Sequence, residues 1–299
     1  ATAITTQAAE EASGPIPGIG PTGPPVLIAD GMKFTEGPAA DADGTLYFTD
    51  VPANLVYRAV PDGEPEVVLE DSQGTNGLMF DRDGRLIGCQ GGAGRIITID
   101  PTSGAIEVLS PGYNDNPYNR PNDLVVDRQG GIYFSDPSIG RGRQDKAAVY
   151  YLSTSGEATR LADDIIFPNG VLLSPDEKTL YVLSYVTAEL TAYAIDAPGE
   201  VGDGRLFCRL DDTPDGKRPG GDGLAADVNG NLYLTAPRNQ AIQVFDKDGQ
   251  SLGRIDVPKP PSNCCFGGPD GKTLYVTAVS DVYAVPMEVA GHRLVASTQ

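Results

Sequence analysis

Histidine is almost missing from this 299-residue chain: His292, near the C-terminus, is the only one. No imidazole cluster can therefore hold a transition metal. A Ser–His–Asp triad would have to be built on that one residue. The motifs G-x-S-x-G, the P-loop, and G-x-G-x-x-G after a strand are all absent. Cysteine is scarce as well, with four residues and no C-x-x-C, so a zinc ribbon is excluded. Cys89 and Cys208 sit in apolar strand-like runs and read as buried thiols. Cys264 and Cys265 are adjacent, which would strain a mutual disulfide. No apolar run approaches the ~18 residues of a spanning helix. Basic residues are few: 22 Lys and Arg against 41 Asp and Glu give a net charge of −19. Such a surface repels phosphate backbones and disfavours nucleic acid as a partner. No 3.6-residue apolar period is sustained, which excludes a helical solenoid.

What the chain does have is a globular composition, 40% hydrophobic and 21% charged, with 37 glycines and 25 prolines to serve many tight turns. Its main feature is a repeat. "TEGPAADADGTLYFTD" from Thr35 is echoed by "TNGLMFDRDGRLIGC" from Thr75 and "PNDLVVDRQGGIYFSD" from Pro121. "PNGVLLSPDEKTLYVLS" from Pro168, "GDGLAADVNGNLYLTA" from Gly221 and "SNCCFGGPDGKTLYVTA" from Ser262 complete the set. Each copy holds a polar residue, a short apolar strand, an Asp/Gly-type turn and a second strand. Asp43-Gly44, Asp83-Gly84, Asn229-Gly230 and Asp270-Gly271 are strong hairpin dipeptides. A third strand follows each hairpin and a fourth follows another turn.

The fold class is therefore all-β: a six-bladed β-propeller of four-stranded antiparallel blades. "PVLIAD" (25–30) occupies a fourth-strand position ahead of the first copy, and is expected to complete the sixth blade and close the ring. Residues 25–299 then form one domain. Residues 1–24, rich in Ala, Thr, Pro and Gly, read as an extension or linker left by signal removal or by trimming. The first origin implies a periplasmic or secreted protein; the alternative is cytoplasmic. The expected assembly is a monomer or small homo-oligomer, with no membrane span.

Aligned on the polar residue, the copies place Glu36, Asn76, Asn122, Asn169, Asp222 and Asn263 at intervals of 40, 46, 47, 53 and 41 residues. In a propeller, equivalent positions fall on one ring about the axis, here at a channel mouth. Two readings compete: Asn and Asp cap the inner strands, or the six converge on a cation. Two carboxylates and four amides without a lysine or arginine favour the cation, because packed carboxylates need neutralising. An all-oxygen set selects Ca²⁺ over Zn²⁺. "DADG" (41–44), "DRDG" (81–84) and "DKDG" (246–249) imitate an EF-hand start, but the twelfth positions are Pro52, Gly92 and Val257, so these are hairpin turns.

"EGP" at Glu36, "RPND" at Arg120, "PNG" at Pro168, "GDGLA" at Gly221 and "NCCFGGPDGKTLYVT" at Asn263, one per blade, resemble the gluconolactonase, senescence-marker-protein and luciferin-regenerating-enzyme-like family over about residues 25–285. The resemblance implies a divalent metal, usually calcium, held by Glu36, Asn122, Asn169 and Asp222. It implies lactone hydrolysis, with Asp222 as base or nucleophile, and Arg120 in contact with substrate. Asn122 and Asn76 are expected to touch substrate too. Tyr113, in "GYNDNPYNR" (112–120), and Asp136 are further substrate-binding candidates. Where many bacterial members carry a "TDPPYG"-like loop, this chain has "SDPSIGRGRQDK" (135–146), without the tyrosine. Relatives active on aryl esters or organophosphates have histidines at the mouth, and this chain has none there, which favours sugar lactones. An ester or organophosphate hydrolase on the same site, and a calcium-stabilised binding propeller without activity, are the alternatives.

Overall fold

A computed structural model describes residues 14–60, 63–138 and 142–293. Six sheets are arranged around one axis, and each is an up-and-down meander. Strands are numbered along the chain, with the closing strand first. The closing strand is β1 (Val26–Ala29). Blade one then holds β2 (Thr35–Ala40), β3 (Leu46–Asp50), β4 (Leu55–Arg58) and β5 (Glu66–Glu70). Blade two holds β6 (Thr75–Phe80), β7 (Leu86–Gln90), β8 (Arg95–Ile99) and β9 (Ile106–Ser110). Blade three holds β10 (Leu124–Val126), β11 (Ile132–Asp136), β12 (Ala148–Leu152) and β13 (Ala158–Ala162). Blade four holds β14 (Pro168–Leu173), β15 (Thr179–Ser184), β16 (Glu189–Ala197), β17 (Glu200–Val201) and β18 (Arg205–Arg209). Blade five holds β19 (Leu224–Ala226), β20 (Leu232–Ala236), β21 (Ala241–Phe245) and β22 (Ser251–Asp256). Blade six holds β23 (Asn263–Gly267), β24 (Thr273–Ala278) and β25 (Asp281–Pro286), with β1 antiparallel to β25 as its fourth strand. The N-terminal strand thus closes the ring, as expected. Blade four departs from the four-strand pattern: its long third strand β16 also pairs with the short β17.

The hairpins form for a local reason. In the D-x-D-G turns one carboxylate accepts the turn's own N–H groups: Asp41 from Asp43 and Thr45, Asp81 from Asp83 and Arg85, Asp246 from Asp248 and Gln250. These aspartates are spent on Asx-type turns rather than on an EF-hand ion. The second strands, β3, β7, β11, β15, β20 and β24, are almost wholly buried. They pack between neighbouring blades and supply most of the core.

The inner strands β2, β6, β10, β14, β19 and β23 approach one another closely at their N-terminal ends. Gly77 N–H donates to the Asn122 carbonyl (2.7 Å), Gly170 N–H to the Asp222 carbonyl (3.0 Å) and Gly223 N–H to the Ser262 carbonyl (2.8 Å). Each bond ties one blade's ring position to the next blade. A methyl group at Gly170 would overlap the Asp222 carbonyl oxygen and the Leu224 side chain. Gly170→Ala is expected to cost about 3 kcal/mol or more through overpacking, read as a fall in chemical-denaturation midpoint. An unchanged midpoint would mean that the inner strands can spread.

Residues 14–24 do not behave as a linker. Ile16 and Ile19 are buried among Val244, Ile255, Met287 and Val289, and Thr22 N–H donates to the Pro286 carbonyl (2.8 Å). The reason is hydrophobic: two isoleucines in an otherwise small-residue stretch cover the outer side of blades five and six. Residues 1–13 lie outside the described residues. Cys89, Cys208 and Cys264 are buried free thiols and Cys265 is half-buried.

Candidate active site

The inner strands deliver their polar residues to the mouth by breaking the ladder. Pairing of β2 with β3 slips between Glu36 and Ala39, that of β6 with β7 between Thr75 and Leu78, and that of β14 with β15 between Pro168 and Val171. Such irregularities re-aim side chains that a regular strand would direct to alternate faces. In blades three and five the strand starts only after the ring residue, at Leu124 and Leu224. Hydroxyls of the second strands hold these segments: Thr49 donates to the Asn76 carbonyl, Thr235 to those of Gly223 and Ser262, and Ser135 accepts from Asp123 N–H.

Glu36, Asn169, Asp222 and Asn263 are buried. They are joined by Asp123, a carboxylate that the sequence comparison passed over. Burial, with the charges of Asp222 and Asp123 added, raises the Glu36 carboxyl well above its usual range. Burial and the Asp123 charge raise Asp222, against a lowering hydrogen bond from the Asn169 side chain. Burial pushes Asp123 up to about 7, against hydrogen bonds from the Leu124 and Val171 backbone and the Asn263 side chain. The ion pairs of the described residues involve none of these three carboxylates, and do not involve Arg120. Three buried acids that repel one another without a counter-ion are costly to ionise.

The amide oxygens complete the picture. Asn169 Oδ1 and Asn76 Oδ1 are buried and have no hydrogen-bond partner. Capping alone would have satisfied them. An orphaned carbonyl-type oxygen beside raised carboxylates is the donor chemistry of a hard divalent cation. Glu36, Asn169 and Asp222 fit such an ion, and the half-buried Asn122 lies at the equivalent position of its own blade. Asn263 does not: its Oδ1 accepts Cys264 N–H (2.8 Å) while its side chain hydrogen-bonds Glu36 and Asp123. Among the described residues no three or more His, Cys, Asp and Glu side chains form a metal-binding group by themselves. A cation at this mouth would need amide oxygens as well as carboxylates.

Asp123 had a sequence signal. The residue after the ring position is glycine in four blades (Gly37, Gly77, Gly170 and Gly223), aspartate in the third, and Cys264 in the sixth. A carboxylate where close packing elsewhere demands glycine marks a place with room and a purpose. Below the ring, a cavity of ≈ 320 Å³ lined by Leu78, Val125, Leu172 and Phe266 reaches Asp123 and Asn263 from the hairpin face. His292 lines that far end, which separates it from the ring mouth.

Two expected substrate contacts are placed elsewhere. Asp136 is fully buried, and its two oxygens accept the N–H groups of Asn119 (2.9 Å) and Arg120 (2.7 Å). It anchors the segment carrying Arg120 instead of meeting a ligand. Asp50 does the same in blade one, accepting from Lys33 and Phe34. Tyr113 packs on Tyr150 (centroids 5.1 Å apart) with the Arg160 guanidinium 5.2 Å from its ring, on the third and fourth strands of blade three and away from the inner strands. An aromatic in a polar loop found a better partner in the blade's own rings. Arg120 is exposed on the rim, in a recess shared with Asn54, Gln73 and Gly92.

The fold and the site define a class: closed six-bladed propellers with buried acids and orphaned amide oxygens at one channel mouth. Within it, residues 34–280 match the SMP-30/Gluconolactonase/LRE-like region, and the chain belongs to that family. It is 31% identical to a gluconolactonase of Zymomonas mobilis over 89% of this chain and 82% of that one. A solved gluconolactonase of Xanthomonas campestris is 32% identical and superposes with a TM-score of 0.80, covering 88% of this chain and 89% of the other. A calcium-binding regucalcin of Agrobacterium tumefaciens shares the fold at 23% identity, with a TM-score of 0.78 over 92% of this chain and 97% of that one.

Proposed function

We propose that this protein is a lactonase that hydrolyses sugar lactones such as glucono-1,5-lactone at the ring mouth, with one divalent cation of the calcium type. The observation that carries the reading is the orphaned Asn169 Oδ1 beside buried Glu36 and Asp222. It is supported by relatives that are gluconolactonases over most of both chains. Glu36, Asn169 and Asp222 would hold the cation, with Asn122 beside them. When bound, a divalent cation supplies positive charge that polarises an ester carbonyl and favours the negative charge developing on its oxygen.

The chain's own residues do the rest. Asp222 takes a proton from the attacking water at its carboxylate as the water oxygen bonds to the lactone carbon. The ring C–O bond then breaks, and that proton passes to the departing alkoxide to give the hydroxy acid. Arg120, without an ion-pair partner among the described residues and held by Asp136 through its backbone, donates hydrogen bonds to substrate hydroxyls. Asn76 Oδ1 and the Asn122 side chain offer further polar contacts.

The test is proton release from glucono-1,5-lactone at constant pH, above the buffer rate, before and after chelation. Activity should be high with calcium and lost with chelator, and the melting temperature should fall with it, because a ligand of the folded state stabilises only that state. Activity that survives exhaustive chelation with an unmoved melting temperature would remove the cation from the reading.

A further inference from the structure

The mouth is chemically two-sided. Arg120, Asn122 and Asn76 make the side formed by blades two and three polar. On the side of blade four stand large apolar groups: Ile166 is 64% exposed, Val186 49% and Tyr185 37%. Scattered exposed hydrophobics are ordinary. These are contiguous with a half-buried aromatic, Phe167, whose ring lies 5.6 Å from that of Tyr185.

They also touch the site. Phe167 is two residues before Asn169. A side chain at Gly220, two residues before Asp222, would meet the Tyr185 ring at 3.4 Å. Gly221 N–H donates to the Tyr185 carbonyl (3.3 Å) and Tyr185 N–H to the Phe167 carbonyl (3.1 Å). The patch therefore adjoins the two segments that carry Asn169 and Asp222.

Phe167 adopts φ 55°, a left-handed conformation that is strained for an aromatic residue, and directly precedes a proline, where extended backbone is normal. The hydrogen bond from Tyr185 and the one that Ser184 Oγ donates to the Ile166 carbonyl hold it there. Strain maintained by its surroundings clusters at binding sites. The residue before Phe167, Ile166, is the most exposed of the group.

We infer that Ile166, Phe167, Tyr185 and Val186 form an apolar wall of the substrate pocket, which takes an alkyl substituent on the lactone ring while blades two and three bind its polar side. This rests on the lactonase reading and deepens it: glucono-1,5-lactone remains a substrate of the site, and among the lactones it hydrolyses those that carry an alkyl substituent are turned over more efficiently. An amphipathic mouth discriminates in that direction because each buried methylene adds affinity and a polyol face gains nothing from the wall.

The experiment measures kcat/KM for 5-decanolide and for glucono-1,5-lactone with the calcium-loaded wild type, Ile166→Ser and Tyr185→Ala. Ile166 is exposed, so its serine variant should keep the wild-type melting temperature. The wild type should favour 5-decanolide, and each substitution should lower the decanolide-to-gluconolactone ratio about tenfold, through KM for the decanolide. Turnover of gluconolactone with a ratio that neither substitution moves overturns the wall and leaves lactone hydrolysis standing. A wild type that turns over neither lactone overturns both.

Discussion

Asp222→Asn is expected to lower lactone turnover by about 10³-fold while the propeller stays folded. The substitution keeps the size and shape of the side chain and removes one negative charge from a buried site that already holds Glu36 and Asp123. Without a cation the variant should therefore melt no lower than the wild type at pH 8. With calcium, the wild type should gain stability and the variant much less, since one charged ligand is lost. Kinetics and melting are separate readouts of the same residue. Turnover within tenfold of wild type, with a diminished calcium effect, would leave Asp222 a ligand and not a base. Turnover and calcium effect both intact would remove it from the site.

The second large effect is a pH dependence that calcium removes. A carboxyl whose folded-state pKa is raised binds its proton more tightly in the native protein than in the unfolded chain. Its contribution is full below the unfolded value and is lost as pH rises through the folded one. Asp123, pushed up to about 7 from an unfolded value near ~4, accounts for about 4 kcal/mol across that interval. Glu36 and Asp222 shift in the same direction, for the same first cause, burial. Chelated protein should thus lose stability steadily from about pH 4 to pH 7 and beyond. Calcium needs the ionised carboxylates, so its stabilisation should grow over the same window. Melting curves with chelator and with millimolar calcium, subtracted at each pH, cancel the surface carboxylates and isolate the site. A difference that stays constant from pH 5 to pH 8 would mean that the cation is not held by these acids.

Much of the architecture is readable without coordinates because its causes are local. Asp43-Gly44 and Asp270-Gly271 turn the chain wherever they stand, and the first aspartate of each D-x-D-G turn accepts N–H groups within four residues of itself. Alternation around "LYF" and "LYV" makes strands, and six copies at a blade-like interval leave few ways to bury them. The glycine after Asn169 leaves room for the Asp222 carbonyl, which a methyl group there would overlap. Tyr113 and Asp136 show where locality ends. Tyr113 stands in a polar loop and Asp136 at the end of β11, and both find partners within blade three, one in its rings and one in the N–H groups of Asn119 and Arg120. Which partner a loop side chain takes depends on distances between blades, and no periodicity encodes those.

By itself the sequence determined the blade, the number of blades, the closing strand and the set of residues that share the ring position. These follow from turn chemistry, two-residue alternation and repetition, all of which act over a few residues at a time. Only the tertiary structure decided which members of the ring keep a free oxygen, that Asp123 joins Glu36 and Asp222, that Ile16 and Ile19 pack onto the domain, and that Phe167 takes a left-handed conformation two residues before Asn169. The physical reason is that burial, charge repulsion and hydrogen-bond satisfaction are properties of neighbours in space. In a propeller the neighbours that meet on the axis come from strands 40 or more residues apart.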